Sequence, residues 1–415
     1  MRETSAAVDL GTSEIRVSLW DMGAQQRIAL AAEANPQSAF GSDVLSRLTA
    51  AAESPAQAAE IGRFAGNAIA ALLRKLCRER DIPLSAIRVI MIVGNTAMLT
   101  LLTGEGYRDL LRPGMWRREI ACGFADTAAA AKAWGLDPSC GIELVQPLAG
   151  LVGSDLTAGI HATRLTDGPS GSLLIDFGTN TEIALWDGNR IWATSAAGGP
   201  AFEGCGISAG MPAVDGAVQR VEWSDASGFF SLGVIGNGPP KGICGSGLVD
   251  AAVGLLRRGM LTKAGRFKGD ASGWTKVQLD DQGAIAVTGR DIDALQRAKA
   301  GVAAAQKCLM AQAGTDISGI RRVCVAGAFG NYLNVGNAQV IGLLPPVGGQ
   351  DVEFCGNTAL AGCEMLLSGV APLTVPAYWH PTVVNMSHVR AYEDMFVESL
   401  YLEPWQGAVA AGKKG

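Results

Sequence analysis

The sequence predicts an α/β fold built twice in succession, and three observations predict it. The chain has 415 residues, more than one ordinary hydrophobic core accommodates, so two domains are expected. The stretch "AAVDLGTSEIRVSLW" (6–20) is echoed by "LLIDFGTNTEIALW" (173–186), with Asp9, Gly11 and Thr12 matching Asp176, Gly178 and Thr179. A second pair, "VGNTAML" (93–99) and "CGNTALA" (355–361), follows in the same order. Two pairs in one order point to a duplicated fold.

Each D-x-G-T stretch has apolar β-formers on both sides, which reads as strand, tight turn, strand. Each G-N-T-A stretch follows a β-rich run and leads into a helix-like leucine pattern. "AAGGPAFEGCGISAGMPAVDGAV" (196–218) reads as a mobile glycine loop carrying Glu203. "GICGSGLVDAAVGLLRRGML" (242–261) opens on small residues, among them Gly245 and Ser246, then sets Val249, Val253, Leu256 and Met260 on one helical face. "RRVCVAGAFGNYLN" (321–334) is a five-residue apolar strand pattern that empties into Gly327, Ala328 and Gly330. The polar stretch "TRLTDGPSGS" (163–172) marks the junction, giving a first half over 1–165, a second over 166–403 and a frayed tail over 404–415.

Composition narrows the function. With 48% apolar residues and 54 glycines, the chain can bury a large core and keep many tight backbone positions. A net charge of −5 and a pI near 5.4, with no basic block beyond the final "GKK", exclude phosphate-backbone recognition, so no nucleic-acid partner is expected. No apolar run reaches membrane-spanning length, and Asp9 interrupts the only early apolar stretch before it could act as a signal peptide, so a cytoplasmic protein with no membrane partner is expected. The nine cysteines are odd in number, scattered and free of C-x-x-C pairs. That pattern fits reduced thiols and shows no zinc or iron–sulfur spacing.

A glycine in a strand–strand turn lets backbone N–H groups converge on an anion, and Thr or Ser hydroxyls add donors. A carboxylate beside that nest would repel a bare phosphate. It makes sense when a divalent cation lies between, since magnesium is held by one or two carboxylates plus phosphates and water. Two such turns, one per half, suggest a nucleoside triphosphate clamped in a cleft between related domains. A single D-x-G is also a common hairpin turn; the duplicated frame favours the site. At 245–246 two readings stay open, unpaired N–H groups of a helix start offered to a ligand and glycine-mediated packing of a helix on a sheet. The turn at 327–330 gives a flat base or ribose room to approach the backbone. His161, His380 and His388 are too dispersed to suggest a metal or a base.

With these motifs placed, the sequence resembles the ASKHA superfamily of acetate and sugar kinases, Hsp70, hexokinase and actin, and within it the ATPase part of the reductive activators of corrinoid proteins (RACo). The marks are "DLGTS" (9–13), "NPQSAFGSDVLSRL" (35–48), "GNTAML" (94–99), "LVGSD" (151–155), "LIDFGTNTEIAL" (174–185), "GGPAFEGCGISAGMPA" (198–213), "GICGSGLVD" (242–250) and "AGAFGNYLN" (326–334). They cover nearly the whole chain; the second and sixth are the narrowest.

The resemblance implies a duplicated ribonuclease H-like fold and an ATPase that uses ATP and Mg²⁺ so that the inactive Co(II) state of a corrinoid methyltransferase protein can be reduced to Co(I). It implies that Asp9 and Asp176 orient Mg²⁺, and that Gly11, Thr12, Ser13, Gly178, Thr179 and Asn180 cradle the β- and γ-phosphates. Asp155 would orient the attacking water, with a cap for the following helix as the other reading. Glu203, Gly245 and Ser246 would complete the nucleotide site, and Gly327, Ala328 and Gly330 would face the adenosine. Similarity also suggests a homodimer. Activators of this type usually carry an N-terminal ferredoxin-like domain with a C-x4-C-x2-C…C cluster motif; this sequence opens on the first phosphate strand and has no such spacing, so no iron–sulfur cluster is expected in it. The electron is then expected from a separate ferredoxin or flavoprotein. A cluster bridging two subunits through Cys205 and Cys244, a small-molecule kinase, and a nucleotide-gated interaction module without redox role are the competing readings.

Overall fold

The computed structural model describes residues 3–269 and 276–406; most of the sequence-predicted tail, from 407 on, lies outside the described residues. The chain divides into two compact units, one of Met1–Leu165 with Asn357–Asn385, the other of Thr166–Gly356 with Met386–Gly415. The sequence-based division at 165/166 places 357–385 in the second half; the structure places that segment in the first unit.

The first unit is built on a five-stranded sheet of β1 (Thr4–Leu10), β2 (Glu14–Asp21), β3 (Gln26–Ala34), β4 (Ile87–Gly94) and β5 (Gly141–Leu144), in the order β3-β2-β1-β4-β5. β1 to β3 form an antiparallel meander, and β4 and β5 run parallel to β1. Every residue of β1 is buried because helices cover both faces of this central strand. Ala6, Val8 and Leu10 join one core with Ile61, Ala65, Ile69 and Leu73 of α2 (Pro55–Glu79), and Ala7 joins another. This second face is closed by α5 (Ser154–Ala162) and α10 (Thr358–Leu367), whose Leu360, Cys363, Leu366 and Leu367 pack on Ala7, Met91 and Val93. That apolar stripe is why 357–385 belongs to the first unit. α1 (Val44–Glu53) starts at a capping box of Asp43 and Ser46, and α3 (Thr96–Thr103) is capped by Asn95; α4 (Thr127–Ala133) precedes β5.

The second unit repeats the arrangement with β6 (Ser172–Phe177), β7 (Thr181–Trp186) and β8 (Ile191–Ala196) as the antiparallel meander. It adds β9 (Ala217–Ser224), β10 (Phe229–Val234) and β11 (Gly242–Ile243) as a small sheet, and β12 (Lys276–Gln278) with β13 (Ala286–Thr288) as a hairpin. β14 (Arg322–Ala326) and β15 (Val352–Gly356) then lie parallel to β6, giving the order β15-β14-β6-β7-β8. Its helices are α6 (Gly199–Phe202), α7 (Gly245–Arg257), α8 (Gly289–Gln312), α9 (Val335–Val340) and α11 (Tyr392–Glu398). α7 buries Leu248, Val249, Ala252, Val253 and Leu255 and ends at Arg257, so the Met260 predicted on its apolar face lies beyond the helix and is exposed.

The two sheets share one strand order and one set of directions, which is the duplicated ribonuclease H-like fold. The topology corrects one detail of the sequence repeat. "VGNTAML" follows β4, the fourth position of its sheet, whereas "CGNTALA" follows β15, the fifth. The D-x-G-T pair marks equivalent hairpins; the G-N-T-A pair does not mark equivalent strands.

Candidate nucleotide site

In the first unit, Asp9 sits near the carboxyl end of β1, paired with Arg16 across the hairpin. Its carboxylate is buried, and loss of water pushes its pKa up against a hydrogen bond from Asn357 and the charge of Arg16, which lower it. Asn357 Nδ2 donates to Asp9 Oδ2 at 2.7 Å, while its Oδ1 accepts from Leu360 N at 2.6 Å and so caps α10. Asn95 works the same way: its Oδ1 accepts from Met98 N at 3.0 Å, and its Nδ2 donates to Thr12 Oγ1 at 2.9 Å. Each G-N-T-A asparagine thus caps its helix with one end of the amide and fixes the first D-x-G-T hairpin with the other. With Asn95 donating to its oxygen, Thr12 keeps its hydroxyl proton to donate to an anion.

The turn itself is clamped from behind by the "NPQSAFGSDVLSRL" stretch. Asn35 Nδ2 donates to Gly11 O at 2.9 Å, Arg47 Nη1 to Thr12 O at 2.8 Å, and the Asn35 backbone N–H to Ser13 O at 2.9 Å. The carbonyls of all three turn residues are thereby engaged, and Arg47 is 1% exposed. A buried guanidinium one peptide from the turn adds positive potential where an anion would lie. A side chain at Gly11 would meet Glu14 O at 2.6 Å, so the close turn requires glycine there.

Asp155 is the second residue of α5, and its Oδ1 accepts from Leu156 N at 2.9 Å. The N-cap is Gly153, which carries no side-chain cap, so Asp155 is not the capping residue that one sequence reading suggested. A side chain at Gly153 would lie 2.4 Å from both Asn95 Cα and Gly94 O and 2.7 Å from Asp155 Oδ1. This places the Asp155 carboxylate against the β4–α3 junction whose Asn95 holds Thr12. Asp9, Thr12 and Asp155 are therefore gathered by Asn95, Asn357 and Gly153 within one unit.

In the second unit, Asp176 occupies the place on β6 that Asp9 has on β1, paired with Glu182. Gly178 N donates to Asn180 O at 3.0 Å to close the turn, and Thr179 Oγ1 donates to Glu203 Oε2 at 3.1 Å. The loop expected to carry Glu203 thus brings it onto the hairpin, by way of the short α6. Glycine permits the approach: a side chain at Gly199 would lie 1.8 Å from Gly178 O. Gly327, with φ of +85°, sets the turn after β14 so close that a side chain would lie 2.1 Å from Phe177 O and 3.1 Å from Asp176 Oδ1. Ala328 is exposed, while Gly330 is buried against Val325.

Three phenylalanines that the sequence reading did not single out gather these loops. Phe177 from the hairpin, Phe202 from α6 and Phe329 from the 327–330 turn are buried with ring centroids 4.7–5.6 Å apart. Their signal in the sequence is a Phe inside each glycine loop, "DFG", "AFEG" and "AFG".

Gly245 and Ser246 are closely packed. A side chain at Gly245 would lie 2.3 Å from Phe202 O, and the Ser246 hydroxyl donates to Gln219 O at 3.1 Å from a buried position. Cys244, also buried, bonds Val218 O through its thiol at 3.3 Å, while Cys205 is exposed; all nine cysteines are free thiols. Among the described residues no helix is long and apolar enough to cross a membrane.

The donors within each unit are of the kind a hard divalent cation and phosphate take. Each unit presents one carboxylate at a strand end, followed by a glycine turn and a threonine hydroxyl, and oxygen ligands with backbone amides are what Mg²⁺ and phosphate take. Two sheets of one order, each with this hairpin, define an ASKHA domain pair. Two family models match the chain: the RACo middle region over residues 4–168 and the C-terminal, ASKHA domain of RACo over residues 170–408. The chain belongs to the RACo family.

Over 385 residues the chain is 32% identical to the corrinoid activation enzyme RamQ of Eubacterium limosum, an alignment that covers 87% of this chain and 63% of that protein. It is 27% identical over 392 residues to the Co(II) methylated amine-specific corrinoid protein reductase of Methanosarcina barkeri, covering 86% and 68%. Among solved structures, the reductive activator for corrinoid,iron-sulfur protein matches with a TM-score of 0.82 at 29% identity, covering 97% of this chain and 66% of that one. The chain spans less than two thirds of RamQ and of the solved activator.

Proposed function

We propose that this chain binds ATP with Mg²⁺ and couples its hydrolysis to the one-electron reduction of a Co(II) corrinoid protein to Co(I), the electron coming from a separate ferredoxin or flavoprotein. The observation that carries the reading is the pair of equivalent D-x-G-T hairpins in a chain whose relatives are named for corrinoid activation and reduction. We assign Asp9 and Asp176 to the cation, Gly11, Thr12, Ser13, Gly178, Thr179 and Asn180 to the phosphates, and Gly327, Ala328 and Gly330 to the adenosine. When bound, Mg²⁺ neutralises charge on the phosphates.

The chain's own residues do the rest. Thr12 donates its hydroxyl proton, and Arg47 adds fixed positive charge behind the turn. Asp155 accepts a hydrogen bond from the attacking water, which orients it. Glu203 accepts from Thr179 and holds that hydroxyl until a phosphate oxygen replaces it. Gly245 packs on Phe202 of α6 and Ser246 bonds Gln219 O of β9, and we assign both to completing the nucleotide site.

The test combines two readouts on one mixture of this protein, ATP, Mg²⁺, a reductant and a Co(II) corrinoid protein. Free phosphate released faster with the corrinoid protein, together with ATP-dependent appearance of Co(I) absorbance, is expected. Label from γ-phosphate appearing in a small organic acceptor, or nucleotide binding with no effect on cobalt, overturns the reading.

A further inference from the structure

A cluster away from these hairpins remains unexplained. Cys324 on β14 and Glu353 and Cys355 on β15 place one sulfur, one carboxylate oxygen and one sulfur within 4.8 Å of one another. The parallel register pairs Cys324 with Glu353, and alternation sets Glu353 and Cys355 on the same face. Arg322, two residues before Cys324, grips Glu353 through two bonds, Nε to Oε1 at 2.9 Å and Nη2 to Oε2 at 2.8 Å. β15 is an end strand among those of its unit's sheet; Cys324 is buried, Cys355 half-buried and Glu353 exposed, so the cluster opens toward solvent on one side only.

We propose that Cys324, Cys355 and Glu353 form a site for a thiophilic divalent cation of the zinc type, with water as a fourth ligand. Thiolates and carboxylates are both zinc ligands, and tetrahedral zinc with sulfur at about 2.3 Å sets two ligand sulfurs about 3.8 Å apart, inside the 4.8 Å within which the ligand atoms lie. Charge closes as well: two thiolates, one carboxylate, a divalent cation and the Arg322 guanidinium sum to zero, which a half-buried site needs. Arg322 then serves as the outer partner that holds the ligating carboxylate in place. Binding exchanges two thiol protons for the cation and involves no oxidation. The spacing signal is absent from the sequence because the ligands come from two neighbouring strands rather than one loop.

The site would fasten β14 to β15 just before the turn that carries Gly327. Gly327 N donates to Gly356 O at 2.9 Å, and Asn357 follows directly.

The experiment uses the whole chain, prepared without oxygen and freed of metal, titrated with Co²⁺ as probe. One equivalent is expected to give thiolate-to-cobalt absorption in the near ultraviolet and the intense visible bands of a tetrahedral site, both bleached by one equivalent of Zn²⁺. C324S and C355S should abolish the ultraviolet band. E353Q, a surface change that leaves the fold intact, should weaken Co²⁺ binding at least about tenfold, and C205S should change nothing. Absence of the band in the unaltered chain, or its persistence in both cysteine variants, overturns the proposal, as does Co²⁺ affinity unchanged in E353Q.

Discussion

Asp9 shows how one residue is tuned against its own fold. Burial raises its pKa above the ordinary carboxylate value, so folding favours the protonated form. The corresponding stabilisation is complete below the unfolded pKa of about 4 and is lost as pH rises through the raised value. Ionising this carboxylate in the folded chain without Mg²⁺ is therefore a cost to the fold. Asp9→Asn is expected to lower ATP turnover roughly 100-fold or more while leaving the thermal midpoint unchanged or higher, and calorimetry beside a phosphate-release assay reads both. A midpoint that falls would show that Asp9 is structural. Lys299 carries the same logic with the opposite charge. Its buried ammonium, bonded to Tyr401 O at 2.6 Å, has its pKa pushed down to about 7 by burial and by Lys307. Between about 7 and the unfolded value near 10.4 the unfolded chain binds the extra proton, so this residue makes stability rise with pH. Lys299→Met should flatten that rise in denaturant titrations between pH 7 and 10.

At the scale of elements, the hairpins and glycine turns were legible in the sequence because their chemistry is local. A D-x-G-T between two β runs specifies strand, turn and strand within a dozen residues, and both copies fold that way. What fixes the turns was not legible. Asn95 and Asn357 cap their helices, and the second bond of each amide reaches a residue 83 or 348 positions away. Arg47 read as part of a family mark, but nothing in a charged residue on an amphipathic helix says that it will be buried against the carbonyl of Thr12. The three phenylalanines likewise meet only once β6, α6 and β14 are assembled. Phe202→Ala is expected to cost about 3–5 kcal/mol and to weaken nucleotide binding more than Leu255→Ala in α7, measured by denaturant unfolding and by titration with a non-hydrolysable ATP analogue. Gly327→Ala forces a left-handed backbone position and a clash with Phe177 O; it should raise the KM for ATP with little change in far-ultraviolet dichroism.

For the molecule as a whole, the decisive feature is the return of Asn357–Asn385 to the first unit. The repeat in the sequence gave no sign of it, since "CGNTALA" reads as the second half's own strand and helix. A fragment ending at residue 165 would leave Ala7, Met91, Val93 and Val145 without the side chains of α10 that cover them. It is expected to aggregate or to bind a hydrophobic dye, and addition of a 357–385 peptide should suppress the dye signal; a monomeric, cooperatively unfolding 1–165 fragment would refute this account of the core.

That return also sets a timetable. A ribosome delivers the sheet of the opening unit early, yet the helix that seals one side of it emerges only after 166–356 has been synthesised. The first unit is therefore the one that must wait for 357–385, and its unsealed face is what a nascent-chain chaperone would meet.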